Sequence, residues 1–429
     1  MQPEIYKHYR HNLVVNLFDG GFFGMAMGFA SLVIVVPLFV SNMTNSAILI
    51  GLIPAIHAVG WQLPQLFTAR SVSRLARYKN MVMKMTVHER LPFLALGFVA
   101  ISLPMIGSKI ALPLTFGLLI WQGLGAGLTA TAWQTMIAKI IPSESRGTFL
   151  GMQSGTANLL SSGGAVAAGF LMDRIGFPNG FAVCFFVASL ALVVSYIFLG
   201  LTRELAISVK VEDHSRVAYS SGLFNILRQD KNFSWFIVVR MLSQLATMAF
   251  GFYTVYAVRH FGMNEIVAGL MMGVYTLTQI IINPLLGWIG DRWDHPTALK
   301  IGSLAAFFSA IAAWLAPSLD LFYLVFFLAA IANVAIWIVG MAMTLEFGKE
   351  DERPAYIGLS NTLVAPITIL SPIFGGWLAD TAGYGYTFLV TALFGLVTAL
   401  TLHLLVHDPR HFRIVATAPA IPEITTNEE

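Results

Sequence analysis

Charge is the first thing this sequence lacks. Asp, Glu, Lys and Arg make up 11% of its 429 residues and hydrophobic side chains 57%, where soluble domains carry about 25% charge. A water-soluble globule, a nucleic-acid-binding protein and a disordered chain are excluded together, because each needs far more polar surface than this composition supplies. Cysteine is nearly absent. Cys184 stands alone, so neither a disulfide framework nor a cysteine-based metal cluster is encoded. A cleavable signal peptide does not fit, since the first apolar run, 13–40, is too long for one and contains Asp19. No phosphate-binding loop of the Gly-x-x-x-x-Gly-Lys-Ser/Thr type occurs, so ATP is not an encoded energy source. Between the apolar runs, hydrophilic connections are short, and 202–231 is the longest of them.

What is present is a series of apolar segments, each near the ~20 residues that cross a bilayer as a helix. Twelve can be read: 13–40, 46–68, 81–106, 111–138, 147–172, 180–201, 232–258, 265–290, 298–316, 321–345, 356–379 and 384–406, here segments 1 to 12. Of the 25 Lys and Arg, 19 fall on the side of the N-terminus. Lys109, Arg174 and Arg259 fall on the other side, and Lys84, Arg90 and Arg240 inside segments. This bias places both termini in the cytoplasm of a multi-pass protein of the cell (inner or plasma) membrane. The long connection divides the chain six plus six: a bundle at 1–201, a cytoplasmic central loop at 202–231, a second bundle at 232–406 and a cytoplasmic tail at 407–429. Residues 222–227 (GLFNIL) read as plain linker, with a short interfacial helix as the alternative.

The halves look related. Sliding 146–181 by 207 positions superimposes Arg146 on Arg353, Gly151 on Gly358, Gly169 on Gly376, Leu171 on Leu378, Asp173 on Asp380, Gly176 on Gly383 and Phe181 on Phe388. The order carries the argument: Arg where a segment begins, small residues along it, then Gly, Asp and Gly where it leaves. After segment 8 stands Gly287-Trp288-Ile289-Gly290-Asp291-Arg292. With its 6+6 organisation and this loop motif, the chain resembles the major facilitator superfamily over essentially its whole length. The motif is similar to the second-half copy of that family's Gly-x-x-x-Asp-Arg signature. In the first half, aligning Pro64 with Pro284 puts Phe67 and Ser71 where Gly and Asp belong, although Arg70, Arg74, Arg77 and Lys79 keep the loop basic. Segment 5 has Gly164-Ala-Val-Ala-Ala-Gly169 without the proline of the family's antiporter signature, and segment 11 has the nearer Ser371-Pro372-Ile-Phe-Gly375-Gly376. The resemblance therefore reaches the superfamily and not its antiporter branch. It implies an all-α membrane protein of twelve helices, built as two parallel-repeat six-helix bundles.

Charges inside the segments need partners or water. If segment 3 began after Arg90 it would be about 24 Å long, short of the ~30 Å core, so His88-Glu89-Arg90 must lie within it. Adjacent residues point about 100° apart, so Glu89 and Arg90 do not simply neutralise each other. A structural ion pair to a neighbouring helix and a transport or proton-relay role are both open for them. Asp19 and Arg240 lie at similar depth in segments 1 and 7. The resemblance makes those segments pseudo-symmetric and puts both against a central cavity. The two side chains are expected to approach across the interface of the halves in at least one state, with separately solvated groups as the alternative. His57 reads as a hydrogen-bonded packing residue. His407 and His411 are separated by Pro409, so no metal site is expected.

The resemblance further implies that segments 1, 4, 7 and 10 line a solute path. Their polar and aromatic members are Asn16, Asp19, Phe23, Trp121, Gln122, Trp133, Gln134, Arg240, Gln244, Tyr253, Asn333 and Trp337. Amides and indoles without a cluster of positive charge suit a neutral or weakly polar small molecule, and each of these residues could instead join two helices. Gly20, Gly24 and Gly28 form a close-packing face on segment 1. By analogy with the family's loop signature, Asp291 is expected near the start of segment 5 beside Arg146. Gly287, Arg292 and Arg353 complete the expected cytoplasmic gate, and Ser71 leaves the mirror gate without an acid. The reading is a secondary transporter of a small organic solute, working by alternating access with protons as a candidate coupling ion. It uses no cofactor and no nucleic acid, sits in the lipid bilayer, and is expected to be a monomer. Export of an amphipathic compound comes first and uptake of a neutral, sugar-like solute second. A membrane-embedded enzyme or sensor is the alternative of a different class, and the short loops carry no catalytic cluster for it.

Overall fold

The computed structural model describes residues 6–410 apart from 33, 45–46, 207–224 and 264. The expected central loop and tail therefore lie largely outside the described residues, as do His411 and residues 222–224. Residues 225–229, the described continuation of the GLFNIL stretch, are helical rather than plain linker. The next helix starts at Lys231.

Every one of the twelve segments is helical, and nine of them, segments 3, 4 and 6 to 12, are long and apolar enough among the described residues to cross a membrane. Segments 3, 4, 5, 6, 8, 9, 11 and 12 are single helices: Lys79–Ile106, Ser108–Ile140, Arg146–Ile175, Asn179–Gly200, Glu265–Arg292, His295–Leu315, Arg353–Ala382 and Tyr384–Leu405. The other four are interrupted, each for a local reason. Segment 1 runs Tyr9–Phe29 and resumes as Val35–Ser41, with Pro37 in the first turn, where its missing N–H costs nothing. Segment 2 breaks at Pro64, between Ala47–Gln62 and Gln65–Ser73. Segment 7 breaks between Lys231–Ala246 and Phe250–Phe261 without a proline; the Thr247 hydroxyl turns back onto the carbonyls of Ser243 and Gln244, 3.3 and 3.1 Å away. Segment 10 widens from Leu321–Val334 into a π-helical turn, Ala335–Val339, before Gly340–Thr344.

The repeat read in the sequence is visible as geometry. Segments 5 and 11 are both 30 residues long and start on the paired, buried Arg146 and Arg353. Each is followed by a glycine in a positive-φ conformation, Gly176 (φ 77°) and Gly383 (φ 95°), the pair that the slide superimposes. Segments 1 and 5 approach closely, because Gly24 and Gly28 lie directly against the backbone of Ala157 and Ser161.

The two halves touch along two seams. Segment 5 meets segment 8 from the Gly147–Gly287 contact, through Gly151 against Asn283, to Asn158 Nδ2 and Gln279 Oε1 at 3.5 Å. Segment 11 meets segment 2 from Gly358 against Leu66 to Thr368 against Gln62. Both seams occupy the halves of segments 5 and 11 nearest the loops that carry most of the Lys and Arg. This basic end of the molecule is sealed.

Candidate functional site

A cavity of about 270 Å³ lies beside the seams, level with Leu150 to Ala157 of segment 5, and mostly within the first half of the chain. Its walls are apolar or aromatic, with Phe23, Trp61 and Trp133 from segments 1, 2 and 4 and Ile338 and Met341 from segment 10. The π-helical turn of segment 10 carries Ile338 to the cavity and sets Trp337 edge-on to Trp61, ring centroids 6.4 Å apart. Three charged side chains enter it: Asp19, Glu89 and Arg90.

These charges form one cluster centred on Ser195 of segment 6. The Ser195 hydroxyl donates to Asp19 Oδ1 at 2.6 Å and accepts from Arg90 Nη2 at 3.0 Å. Arg90 Nη2 also lies 3.5 Å from Asp19 Oδ1, and Nη1 lies 3.9 Å from Glu89 Oε2. Thr86 donates to Glu89 at 3.4 Å, and the guanidinium stands over the Phe23 ring, 5.4 Å from its centroid. With both acids ionised, two carboxylates face one cation, so the cluster carries a charge of −1. Such a site attracts a proton or a cationic group more readily than an anion.

Asp19 and Arg240, expected to approach in at least one state, are not paired in this one. Asp19 takes Arg90 as its cation, and Arg240 is buried in the second half. There its Nη1 donates to Ser360 at 2.9 Å, Asn361 at 3.1 Å and Thr344 at 3.3 Å, all neutral. Helix neighbours explain the difference. Segment 6 packs against both segments 1 and 3, so Ser195 joins Asp19 to Arg90, while segment 7 packs mainly against segments 11 and 12. Glu89 and Arg90 are also less independent than their adjacency implies, because the long Arg90 side chain reaches across the gap.

Of the twelve residues drawn from segments 1, 4, 7 and 10, the cavity is lined by Asp19, Phe23 and Trp133. The rest do other work. Asn16 donates to the Asn12 carbonyl and to Thr202. Gln122 accepts from His57 Nδ1 at 2.9 Å and pins segment 4 to segment 2. Trp121 donates to His88, Asn333 accepts from Gln279, and the Tyr253 hydroxyl meets Ser309 inside an aromatic core. Gln134 and Gln244 are buried in helix contacts, and Trp337 stands at the rim. Trp61, Thr86, Gln153 and Ser154 line the cavity from segments 2, 3 and 5 and were not singled out by the sequence reading. The available signal was the small-residue face of segment 1, which brings segment 5 up against Asp19.

At the basic end Asp291 sits on the first turn of segment 5 and accepts from the amides of Gly147 at 2.8 Å and Thr148 at 2.6 Å, a carboxylate on a helix N-terminus. Arg146 bonds Glu346 of the other half at 2.6 Å and caps segment 4 through the carbonyls of Ile141 and Ala138. Arg353 is buried nearby. Arg292 turns outward over Trp288 and takes no part in this contact. On the second seam no acid among the described residues replaces Ser71. Instead Asn361 Nδ2 donates to Gln65 Oε1 at 2.6 Å, with Arg240 bracing the same amide.

Twelve helical segments, a charged aromatic cavity and a seam built on Asp291 define a multi-pass membrane transporter rather than an enzyme. The Major Facilitator Superfamily profile matches residues 85–258 and 236–422, well over half of the chain, and the chain belongs to that family. The fold is also that of the E. coli fucose:proton symporter FucP, with a TM-score of 0.75, 14% identity and coverage of 92% of this chain and 98% of that one. It is similar to a bacterial homologue of the iron transporter ferroportin in an outward-facing state, with a TM-score of 0.70 at 14% identity, covering 92% of this chain and 98% of that one. In sequence, the chain is 26% identical to the vesicular acetylcholine transporter unc-17 of Caenorhabditis elegans over 148 residues, a stretch that is 34% of this chain and 28% of the worm protein.

Proposed function

We propose that this protein carries a small amphipathic solute with one positive charge across the cell membrane by alternating access, and that Asp19, Glu89 and Arg90 are its charge-handling centre. The observation that carries the reading is the cluster itself: two acids and one guanidinium, nearly dry, on the wall of an aromatic cavity. A solute cation meets aromatic faces at Phe23, Trp61 and Trp133 and a carboxylate excess at Asp19 and Glu89. Its apolar body meets Ile338 and Met341. The worm relative, named for acetylcholine, is a transporter of another small organic cation, which fits this chemistry.

The positive-inside rule assigns the basic end and both termini to the cytoplasm. The sealed seams then stand on the cytoplasmic side, and the conformation faces outward. Residues 1–201 and 232–406 act as the rocking units, and Asp291 on segment 5 together with Gln65–Asn361 holds the cytoplasmic side shut until the cavity is loaded. Competition at one carboxylate couples the solute to protons. A proton on Asp19 weakens its hold on Arg90 and on a cationic solute alike, so proton and solute displace each other and export follows.

The test is transport in proteoliposomes. A panel of matched radiolabelled solutes, one cationic, one neutral and one anionic, is presented with and without a pH gradient. Accumulation of the cation that depends on the gradient and falls at least tenfold in Asp19→Asn supports the proposal. Preferential carriage of the anion, or gradient-driven transport that survives Asp19→Asn, rejects it.

A further inference from the structure

The segment that follows segment 12 is not idle loop. Segment 12 ends at Leu405, and the chain then folds back beneath the basic end of segments 7, 8 and 9. The His407 amide donates to Asn232 Oδ1 at 2.9 Å, and Asn232 Nδ2 donates to the His407 carbonyl at 2.9 Å, which ties the turn to the start of segment 7. Asp408 is almost fully buried. Its Oδ2 accepts from the His295 amide at 3.1 Å, at the first turn of segment 9, and lies 3.5 Å from His295 Nδ1. The same carboxylate holds the Arg410 guanidinium at 2.8 Å.

Arg410 in turn donates to the last carbonyls of segment 8. Nη2 reaches the Gly290 carbonyl at 2.7 Å and Nη1 the Asp291 carbonyl at 3.1 Å. A cation on the C-terminal carbonyls of a helix satisfies orphan acceptors and meets the negative end of the helix dipole. Here the capped residue is Asp291 itself, whose carboxylate crosses to the amides of Gly147 and Thr148 in the other half. His295 completes the arrangement. It is fully buried, with Nε2 3.8 Å from Asp291 Oδ1 and Nδ1 facing Asp408. Burial raises the affinity of Asp408 for a proton, but its hydrogen bonds to His295 and Arg410 outweigh that and hold it below the usual carboxylate range. It therefore stays a charged anchor throughout the neutral range.

We propose that residues 406–410 form a clasp that positions Asp291, so that Arg410 and Asp408, though they touch neither the cavity nor the other half, set how firmly the basic end stays shut. The proposal rests on the alternating-access reading above. Segment 8 ends at Arg292, and without the clasp its last turn is free to fray. Fraying moves the Asp291 carboxylate off the helix N-terminus that it caps. Asp408 acts one step further back, by holding Arg410 in place.

The experiment measures the gate and not the transport. Spin labels are attached through cysteines introduced at the exposed Glu144 and Trp293, on opposite halves at the basic end, in a Cys184→Ser background of the full chain in nanodiscs. The distance distribution between them gives the open fraction. The comparison runs wild type, Asp291→Asn, Arg410→Gln, Arg410→Lys and the double variant Asp291→Asn/Arg410→Gln, with thermal unfolding recorded for each. The expected result is an open fraction raised about tenfold by Asp291→Asn and several-fold by Arg410→Gln, partly restored by Arg410→Lys, with the double variant no more open than Asp291→Asn alone. If Arg410→Gln proves too unstable to label, Asp408→Asn must give the same pattern. A closed gate in Arg410→Gln beside an open one in Asp291→Asn overturns the clasp, and so do additive effects in the double variant. A gate that stays shut in Asp291→Asn overturns the reading beneath it.

Discussion

Arg90 stands between two acids, and removing it leaves both uncompensated. Breaking a buried pair in this way typically costs about 3–5 kcal/mol, more than the pair adds when intact, because a stranded charge has no water to return to. Arg90→Gln is expected to lower the thermal unfolding temperature in detergent clearly, and Arg90→Lys less, since the ammonium keeps the charge but not the reach to both Asp19 and Ser195. Unfolding followed by tryptophan fluorescence checks this; equal losses in the two variants contradict it. The sequence alone shows that Asp19, Glu89, Arg90 and Arg240 lie inside apolar segments and so demand an account. It does not show who meets whom. Asp19 lies ten residues from the start of its helix, Arg90 eleven and Arg240 nine, so depth does not choose between the two cations. The choice depends on which helices are neighbours and which face each residue takes, and the information for it sits in Ser195, an unremarked hydroxyl 176 residues from Asp19.

Among the elements, segments 5 and 11 were the most legible. A slide of 207 positions finds their paired arginines and their paired glycines, since the backbone at each helix end dictates the residue type. The break at Pro64 follows from the proline, although the apolar run 46–68 reads straight through it as one segment. The break in segment 7 and the π-helical turn in segment 10 are not legible, because neither uses proline; the first follows the Thr247 hydroxyl and the second lies where segment 10 meets the cavity. The seam between segments 5 and 8 yields a prediction. A side chain on Gly287 meets the carbonyl of Gly147 head on, with backbone on both sides and nothing flexible to give way. Gly287→Val is therefore expected to hold the basic end open. Cross-linking between cysteines introduced at Glu144 and Trp293 should show at least a tenfold slower reaction than in the parent; an unchanged rate tells against the seam as a gate.

Across the whole molecule the two seams differ in chemistry although they are related by the repeat. The segment 8 seam uses a carboxylate on a helix N-terminus, and the segment 2 seam uses one amide pair, Gln65–Asn361, braced by Arg240. From the loop motif alone the second seam looks empty, because Ser71 stands in the acid's place. The substitute lies six residues earlier in the chain, and its partner lies 296 positions away, so no local pattern announces it. Ser71 is exposed. Ser71→Ala is accordingly expected to leave transport within about twofold of the parent. Asn361→Ala strands the Gln65 carbonyl oxygen and removes one of the three acceptors of Arg240, and a buried group that loses its partner costs about 1–3 kcal/mol. It is expected to raise the open fraction at the basic end several-fold without altering the binding of solute to the cavity, as read by tryptophan quenching.

The central claim is that protons and a cationic solute compete for the Asp19–Arg90–Glu89 cluster. Its most direct test is the proton movement that the solute itself drives. Proteoliposomes holding a pH-sensitive dye receive a small amphipathic ammonium compound in the absence of any imposed gradient, and the internal pH is followed for wild type and Asp19→Asn. The account predicts a solute-dependent pH change in the wild type that saturates with solute concentration and disappears in Asp19→Asn, although solute still binds. A pH change of the same size in both proteins contradicts it.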